Sequence, residues 1–237
     1  MAESILRGYL INKKNFAVFD EMITFITPQG KRYTCISRGS RKIESKNARN
    51  LFIGSLTEFE IFQARSEDKT SRLKKAVIIK SLEWNFETLP SFNLLNECVN
   101  ALPTFNEAAY TFYVSSREMI TSKQFDDKKN ILIVLTQYCK ILGLHLEVNH
   151  CVACGSNKIK TICLPQYGML CNECFDDNHH QLFDLSTSKL FHFLFNSAYE
   201  KIDQFNDQYD LVIKLLSIFV KDNAGIYLET LKNYWHG

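Results

Sequence analysis

The sequence lacks the local signatures on which most enzymes depend. It has no glycine-rich phosphate loop, no His-Glu-x-x-His motif and no Gly-x-Ser-x-Gly turn. Each carries a specific mechanism, in phosphate cradling, zinc proteolysis and serine hydrolysis respectively. The paired carboxylates Asp126-Asp127 and Asp176-Asp177 sit beside expected helix or knuckle ends, where acidic residues are ordinary. The chain is therefore expected not to be an enzyme. It also lacks any apolar run near the ~20 residues needed to span a bilayer; Ile131–Leu135 and Leu211–Val220 fall far short. Met1 to Ser4 open no basic-then-apolar leader, so a cytoplasmic protein without membrane contact is expected. Net charge is only +2, but it is unevenly spread. Residues 1–80 hold 16 Lys and Arg against 8 Asp and Glu, whereas residues 81–237 hold 12 against 18. An anionic partner is expected for the first part only.

Cysteine is present in quantity. Of eight, Cys35, Cys98, Cys139 and Cys163 are scattered singly among apolar neighbours, which fits buried thiols in a reducing compartment. The other four form Cys151-x-x-Cys154 and Cys171-x-x-Cys174, separated by sixteen residues. Two such knuckles can aim four thiolates at one centre, and tetrahedral Zn²⁺ is the usual occupant. Four protein ligands close the site, which makes a zinc ion structural. Disulfides or unrelated core cysteines are the alternatives, and His179-His180 offers a substitute ligand. Gly155 is expected where a side chain would crowd the first knuckle. The segment Leu164–Leu170 reads as a short hairpin delivering the second.

Short strands are expected before residue 80: Ile5–Ile11, Met22–Thr27, Lys31–Ser37, Leu56–Gln63 and Ala76–Leu82. Thr27-Pro28-Gln29-Gly30 has the composition of a type I turn. Five short strands suggest a small barrel, with the OB-fold the best-known candidate. After residue 90 apolar residues recur at helical spacing. The stripes run through Phe92–Leu102, Glu107–Met119, Asp127–Leu144, a segment capped by Ser186 or Ser188, Tyr209–Val220 and Gly225–Trp235. His192 lies within such a stripe and reads as a partly buried core residue. The expected class is thus α+β: a five-stranded OB-fold barrel over residues 1–80, then a helical domain over 81–237 with a four-cysteine zinc-binding insertion at 151–174.

Between the third and fourth strands lies a polar loop carrying Arg38, Arg41, Lys42, Lys46 and Arg49, with Glu44 its sole acid. Lys31 and Arg32 precede it. Such side chains can track a phosphate backbone, with Ser and Asn donating to the same oxygens; a merely solvated loop is the alternative. Tyr9, Phe16, Phe19, Phe25 and Tyr33 are candidate stacking residues, although some must be core.

The order of these features resembles the bacterial RecO family of recombination mediators. The run Asp20–Thr27, the turn ending at Gly30, Arg38-Gly39-Ser40-Arg41-Lys42, Leu142-Gly143 before Cys151-Val-Ala-Cys154-Gly155, and Phe219–Lys232 carry the similarity. It departs at Ala17-Val18, where the family often has an acidic residue, and at Glu44, where a basic one is common. The resemblance implies binding of single- and double-stranded DNA, strand annealing, and loading of RecA together with RecR. It further implies contact with the acidic C-terminal tail of single-stranded DNA-binding protein, and a place at the nucleoid. A zinc-containing RNA-binding or protein-interaction module is the competing reading.

Overall fold

The computed structural model describes residues 2–64, 70–83 and 86–234. Its first part is a five-stranded sheet of β1 (Ala2–Asn15), β2 (Glu21–Thr27), β3 (Lys31–Ser37), β4 (Leu56–Gln63) and β5 (Ser71–Lys80). The strands close on themselves in the order β1-β2-β3-β5-β4, with β4 returning antiparallel onto β1. The seam between β3 and β5 is parallel and short, pairing only Cys35 with Ser71 and Ile36 with Arg72. Inside, Leu10, Ile23, Phe25, Phe59, Ile61, Leu73 and Ala76 form the core. The Phe25 and Phe59 rings stack at 4.0 Å. Each leucine, isoleucine or phenylalanine among them contributes about 1.5–3 kcal/mol on full burial. Cys35 packs among them, and burial pushes its thiol up to about 12, which makes it inert. In β4 the alternation is as expected, with Thr57, Phe59 and Ile61 inward.

Two strands differ from expectation. β1 runs on to Asn15 because Asn12 to Asn15 pair with β2, after an irregularity between Leu10 and Asn12 that breaks the alternation. β5 begins at Ser71, and its pairing with β4 slips between Glu60 and Ile61, so the consecutive Lys74 and Lys75 both face solvent.

The helices are α1 (Leu89–Ala101), α2 (Glu107–Thr121), α3 (Asp127–Ile141), α4 (Leu185–Phe195) and α5 (Tyr209–Ala224). One compact unit comprises Met1–Phe86 with Cys98–Ser115, and the other Glu87–Glu97 with Ser116–Gly237. The chain thus crosses between units within α1 and α2, where the sequence suggests one boundary after residue 80.

Within the first unit, the end of α1 and the start of α2 cover the barrel's turn side. The Arg32 guanidinium donates to the carbonyls of Val99, Asn100 and Leu102 at 3.1–3.2 Å, satisfying the open end of α1. The turn Thr27–Gly30 forms as expected, with Gly30 N–H donating to the Thr27 carbonyl at 3.1 Å.

Within the second unit, α3 starts at Asp126, whose side chain accepts from Lys129 N–H at 3.0 Å. The cap of α4 is Asp184, accepting from Thr187 N–H at 2.7 Å, rather than Ser186 or Ser188. The Ser188 hydroxyl accepts instead from Ile162 N–H at 3.0 Å, tying α4 to the knuckle sheet. His192 is half-buried, its ring bonded to the Val148 carbonyl at 3.0 Å. Gly225, with φ +68°, ends α5. Beyond it the expected helix is only 3-10 turns over Glu229–Tyr234, and Trp235 lies outside the described residues. Among the described residues, no helix is long and apolar enough to cross a membrane.

Gly30 has φ +64°, and a Cβ there would lie 2.4 Å from the Glu107 nitrogen and 2.5 Å from the Asn106 carbonyl carbon. Both are backbone atoms that cannot swing aside. Gly39 has φ +63°, but its nearest neighbour would be the flexible Lys42 Cδ at 3.7 Å. Gly30→Ala should therefore cost about 2–4 kcal/mol, against about 1–2 kcal/mol for Gly39→Ala. Urea unfolding of both variants measures this, and equal losses would contradict the packing of α2 on the turn.

Candidate nucleic-acid interface and metal centre

The knuckle sheet is built from β6 (Glu147–Cys151), β7 (Ile159–Cys163) and β8 (Gly168–Cys171), in the order β6-β8-β7. The expected hairpin is β7 and β8, joined through Leu164–Gln166 and Tyr167. Cys151 and Cys171 end adjacent strands, and each is followed by a tight turn. Gly155 N–H donates to the Cys151 carbonyl at 2.8 Å, and Phe175 N–H to that of Cys171 at 3.1 Å. The turns bring Cys154 and Cys174 back over the strand ends. All four Sγ atoms lie within 4.8 Å of one another, and Cys154 Sγ is 3.6 Å from Cys171 Sγ. That exceeds a disulfide bond of ~2.05 Å. It matches the roughly 3.8 Å between sulfurs in a tetrahedron with ~2.3 Å bonds.

Crowding splits the acidity of the thiols. Burial resists ionisation at Cys151, but N–H groups of Cys171, Cys154 and Ala153 overcome it and bring this thiol down to about 6. Hydrogen bonds with the Cys154 and Cys171 thiols push Cys174 up to about 12. The four cysteines are thus close enough to bind a metal ion, and their donor set is one that soft cations prefer. His180 is engaged elsewhere, its Nδ1 accepting from Asp176 N–H at 3.0 Å. Gly155 serves a different purpose from the one expected. No atom lies within 4 Å of a Cβ built there, so its φ of +74° is the constraint rather than crowding.

The basic loop is held by its neutral residues. Asp20 Oδ1 accepts from Gly39 N–H at 2.8 Å, and Ser40 Oγ donates to the Ser37 carbonyl at 3.0 Å. Arg41 N–H donates to the Phe19 carbonyl at 3.0 Å. Further along, Asn47 Oδ1 accepts from Ala76 N–H at 3.1 Å while its Nδ2 donates to the Lys74 carbonyl at 3.3 Å. Asn50 Oδ1 accepts from Ile78 N–H at 3.4 Å. Asn47 and Asn50 thus act as substitutes for a partner strand along β5, not as donors to a ligand.

The cations are left over. Lys31, Arg38, Arg41, Lys42, Lys46 and Arg49 are exposed, and none forms an ion pair among the described residues. Arg32 is the exception to the expected set. It is engaged with three carbonyls of the first unit and is a structural residue. Arg41 is partly so, donating to the Val18 carbonyl at 3.2 Å. The aromatics also separate. Phe25 is core, Tyr33 stacks on it at 5.3 Å, and Tyr9 packs against Tyr113 at 5.4 Å. Phe16 and Phe19 stand about half exposed in the β1–β2 turn, and the Lys42 ammonium lies 5.4 Å over the Phe19 ring. Arg38, Gly39 and Lys42 line one concavity with Ala17 to Asp20. The exposed Phe52 and Val18 had no sequence signal to single them out.

Comparison with known proteins places these features in a lineage. Residues 86–219 match the family described as "Recombination protein O C terminal". Over 96% of its length the chain is 25% identical to a DNA repair protein RecO from Mesoplasma florum, covering 88% of that protein. It is likewise 25% identical over 97% of its length to a DNA repair protein RecO from Mycoplasma capricolum, covering 96% of it. A DNA repair protein RecO from Symbiobacterium thermophilum is 21% identical over 74% of this chain. With more than half of its residues matched by the family's C-terminal region, this chain belongs to the RecO family.

Proposed function

We propose that this protein is a DNA-binding mediator of repair and recombination that anneals complementary strands without bond chemistry. The observation that carries the reading is the loop on the barrel: Asp20 and uncharged loop residues anchor it, and Arg38 and Lys42, which form no ion pair among the described residues, stand beside exposed Phe16 and Phe19. Two bare strands repel through their phosphates, and a basic surface lowers that cost. Exposed rings add sequence-tolerant stacking of bases. The names of the relatives support the same role. We read the five-stranded barrel as an OB-fold on its strand order and its loop-borne cations. RecR is the proposed co-mediator for loading RecA, in the cytoplasm at the nucleoid.

Phosphate contacts carry no base information, so affinity should fall with salt by about −0.7 in log–log slope for each contact on a single strand. The best variant follows from the geometry. Arg41 helps to hold the loop, so Arg38→Ala/Lys42→Ala tests charge with least disturbance. The double variant should flatten the slope by about two contacts, near 1.4, equally on all sequences. Titration of labelled oligonucleotides across a salt series measures it. An unchanged slope in folded protein would move the DNA site off this loop. Equal affinity for matched RNA, with no acceleration of annealing, would favour the RNA-binding alternative.

At the knuckle we propose one structural Zn²⁺ held by Cys151, Cys154, Cys171 and Cys174. The ion would supply cross-linking of the two turns, with no open position for catalysis. Because binding energy is then folding energy, Cys154→Ser should lose the metal and several kcal/mol of stability in the second unit. Elemental analysis with thermal melting checks this; full metal in the variant, or none in the parent, would contradict it.

For the acidic-apolar tail of single-stranded DNA-binding protein we propose a groove of about 470 Å³ in the second unit. Lys128, Asp210, Leu211, Lys214, Asn233 and Tyr234 line it, with the Lys128 ammonium 2.8 Å from the Asp210 carboxylate. Two lysines against one aspartate leave a positive excess that suits a terminal carboxylate, and Leu211 suits an apolar side chain. A second cleft, of about 410 Å³ beside the knuckle, is lined by Asp222 and by no Lys or Arg, and suits that tail poorly. Lys214→Ala should weaken a tail peptide about tenfold in calorimetry, as expected for one desolvated charge pair; unchanged binding would exclude the groove.

A further inference from the structure

The basic loop does not present one patch. Its first half is docked on the β1–β2 turn, through Gly39 to Asp20, Arg41 N–H to the Phe19 carbonyl and Lys42 over the Phe19 ring. Its second half is docked on β5, through Asn47 to Lys74 and Ala76 and through Asn50 to Ile78. Only Ile43 to Ser45 link the two halves, and Ile43 is fully exposed. The cations are divided accordingly. Arg38, Arg41 and Lys42 stand with Phe16 and Phe19. Lys46 and Arg49 stand along β5, whose exposed Lys75, Val77 and Ile79 alternate onto one face.

The strand order gives the separation. β3 has β2 on one side and β5 on the other. The first patch lies at the β2 end of that trio and the second along β5. The two patches therefore lie on either side of β3, in a sheet whose neighbouring strands are about 4.8 Å apart. The backbones of a duplex face each other across grooves about 6 and 12 Å wide. One strand spanning both patches would bind once per chain, whereas two strands would bind twice.

We infer that the barrel carries two nucleic-acid tracks, one for each of two strands. The first comprises Arg38, Lys42, Phe16 and Phe19, and the second Lys46, Arg49, Lys75 and the Val77–Ile79 face. This rests on the DNA-binding reading above and specifies how a single chain holds both partners of an annealing reaction. The first track has aromatic rings and suits unstacked bases. The second offers cations and flat aliphatic surface bordered by Glu58 and Glu60 of β4, opposite Val77 and Lys75, which suits a backbone held from the loop side by Lys46 and Arg49. The shared loop fixes the distance between them.

The test uses the intact protein and a fluorescent oligothymidylate of about eight nucleotides, within the footprint of one small barrel. Stoichiometric titration at low salt should give two oligonucleotides per chain for the parent. It should give one for Arg38→Ala/Lys42→Ala and one for Lys46→Ala/Arg49→Ala/Lys75→Ala. Each variant should keep the affinity of its remaining track within about threefold, yet anneal complementary strands at least about tenfold more slowly, since two or more phosphate contacts are lost. Glutamine forms of the same residues, which keep the aliphatic stems, give a second reading if an alanine variant does not fold. One oligonucleotide per parent chain, with both variants weakening that same event, would overturn the two-track inference and leave DNA binding intact. No binding by the parent would overturn both.

Discussion

The proposed nucleic-acid surface depends on how the backbone of residues 38–50 satisfies its hydrogen bonds. A polar loop laid on a barrel must find partners for buried N–H and carbonyl groups or lose stability. Here Asp20, Ser40, Asn47 and Asn50 supply those partners, and each is neutral or lies outside the basic set. The consequence is electrostatic. Because these groups carry the structural task, Arg38, Lys42, Lys46 and Arg49 form no ion pair among the described residues. A loop tied down by ion pairs would have spent the charges that a phosphate backbone needs.

The same economy explains which basic residues are not available. Arg32 adjoins Lys31 in sequence, yet β3 turns alternate side chains to opposite faces. Lys31 faces solvent, whereas Arg32 reaches the end of α1. Its planar fork suits three carbonyls better than a lysine would. Lys74 is likewise engaged, with Glu60 at 2.6 Å and with Glu3. The field over the barrel is therefore narrower than its excess of Lys and Arg suggests, and it is concentrated on one loop and the strand that loop follows.

Much of the architecture was legible in the residues because period and spacing are local. β3 and β4 fall where alternation puts them, and the cysteine spacing names a cluster whose sulfurs do converge. What was not legible depends on distant partners. The start of β5 is masked by Lys74-Lys75 at a slip in pairing, and the end of β1 by polar residues paired to β2. Asn47 reads as a ligand donor until β5 appears beside it. Asp184 outcompetes Ser186 and Ser188 as a cap because Ser188 is claimed by Ile162 of the knuckle sheet. Among the aromatics, only the fold separates Phe25 in the core from Phe16 and Phe19 in solvent.

The central claim is that the loop of residues 38–50 on the barrel is where nucleic acid docks. Amide hydrogen exchange, with and without a single-stranded oligonucleotide, tests it most directly. Slowed exchange should appear in residues 16–20 and 38–50 and at the Ala76 and Ile78 amides beside them. Unchanged exchange there, with protection confined to the knuckles at 151–174, would contradict the account.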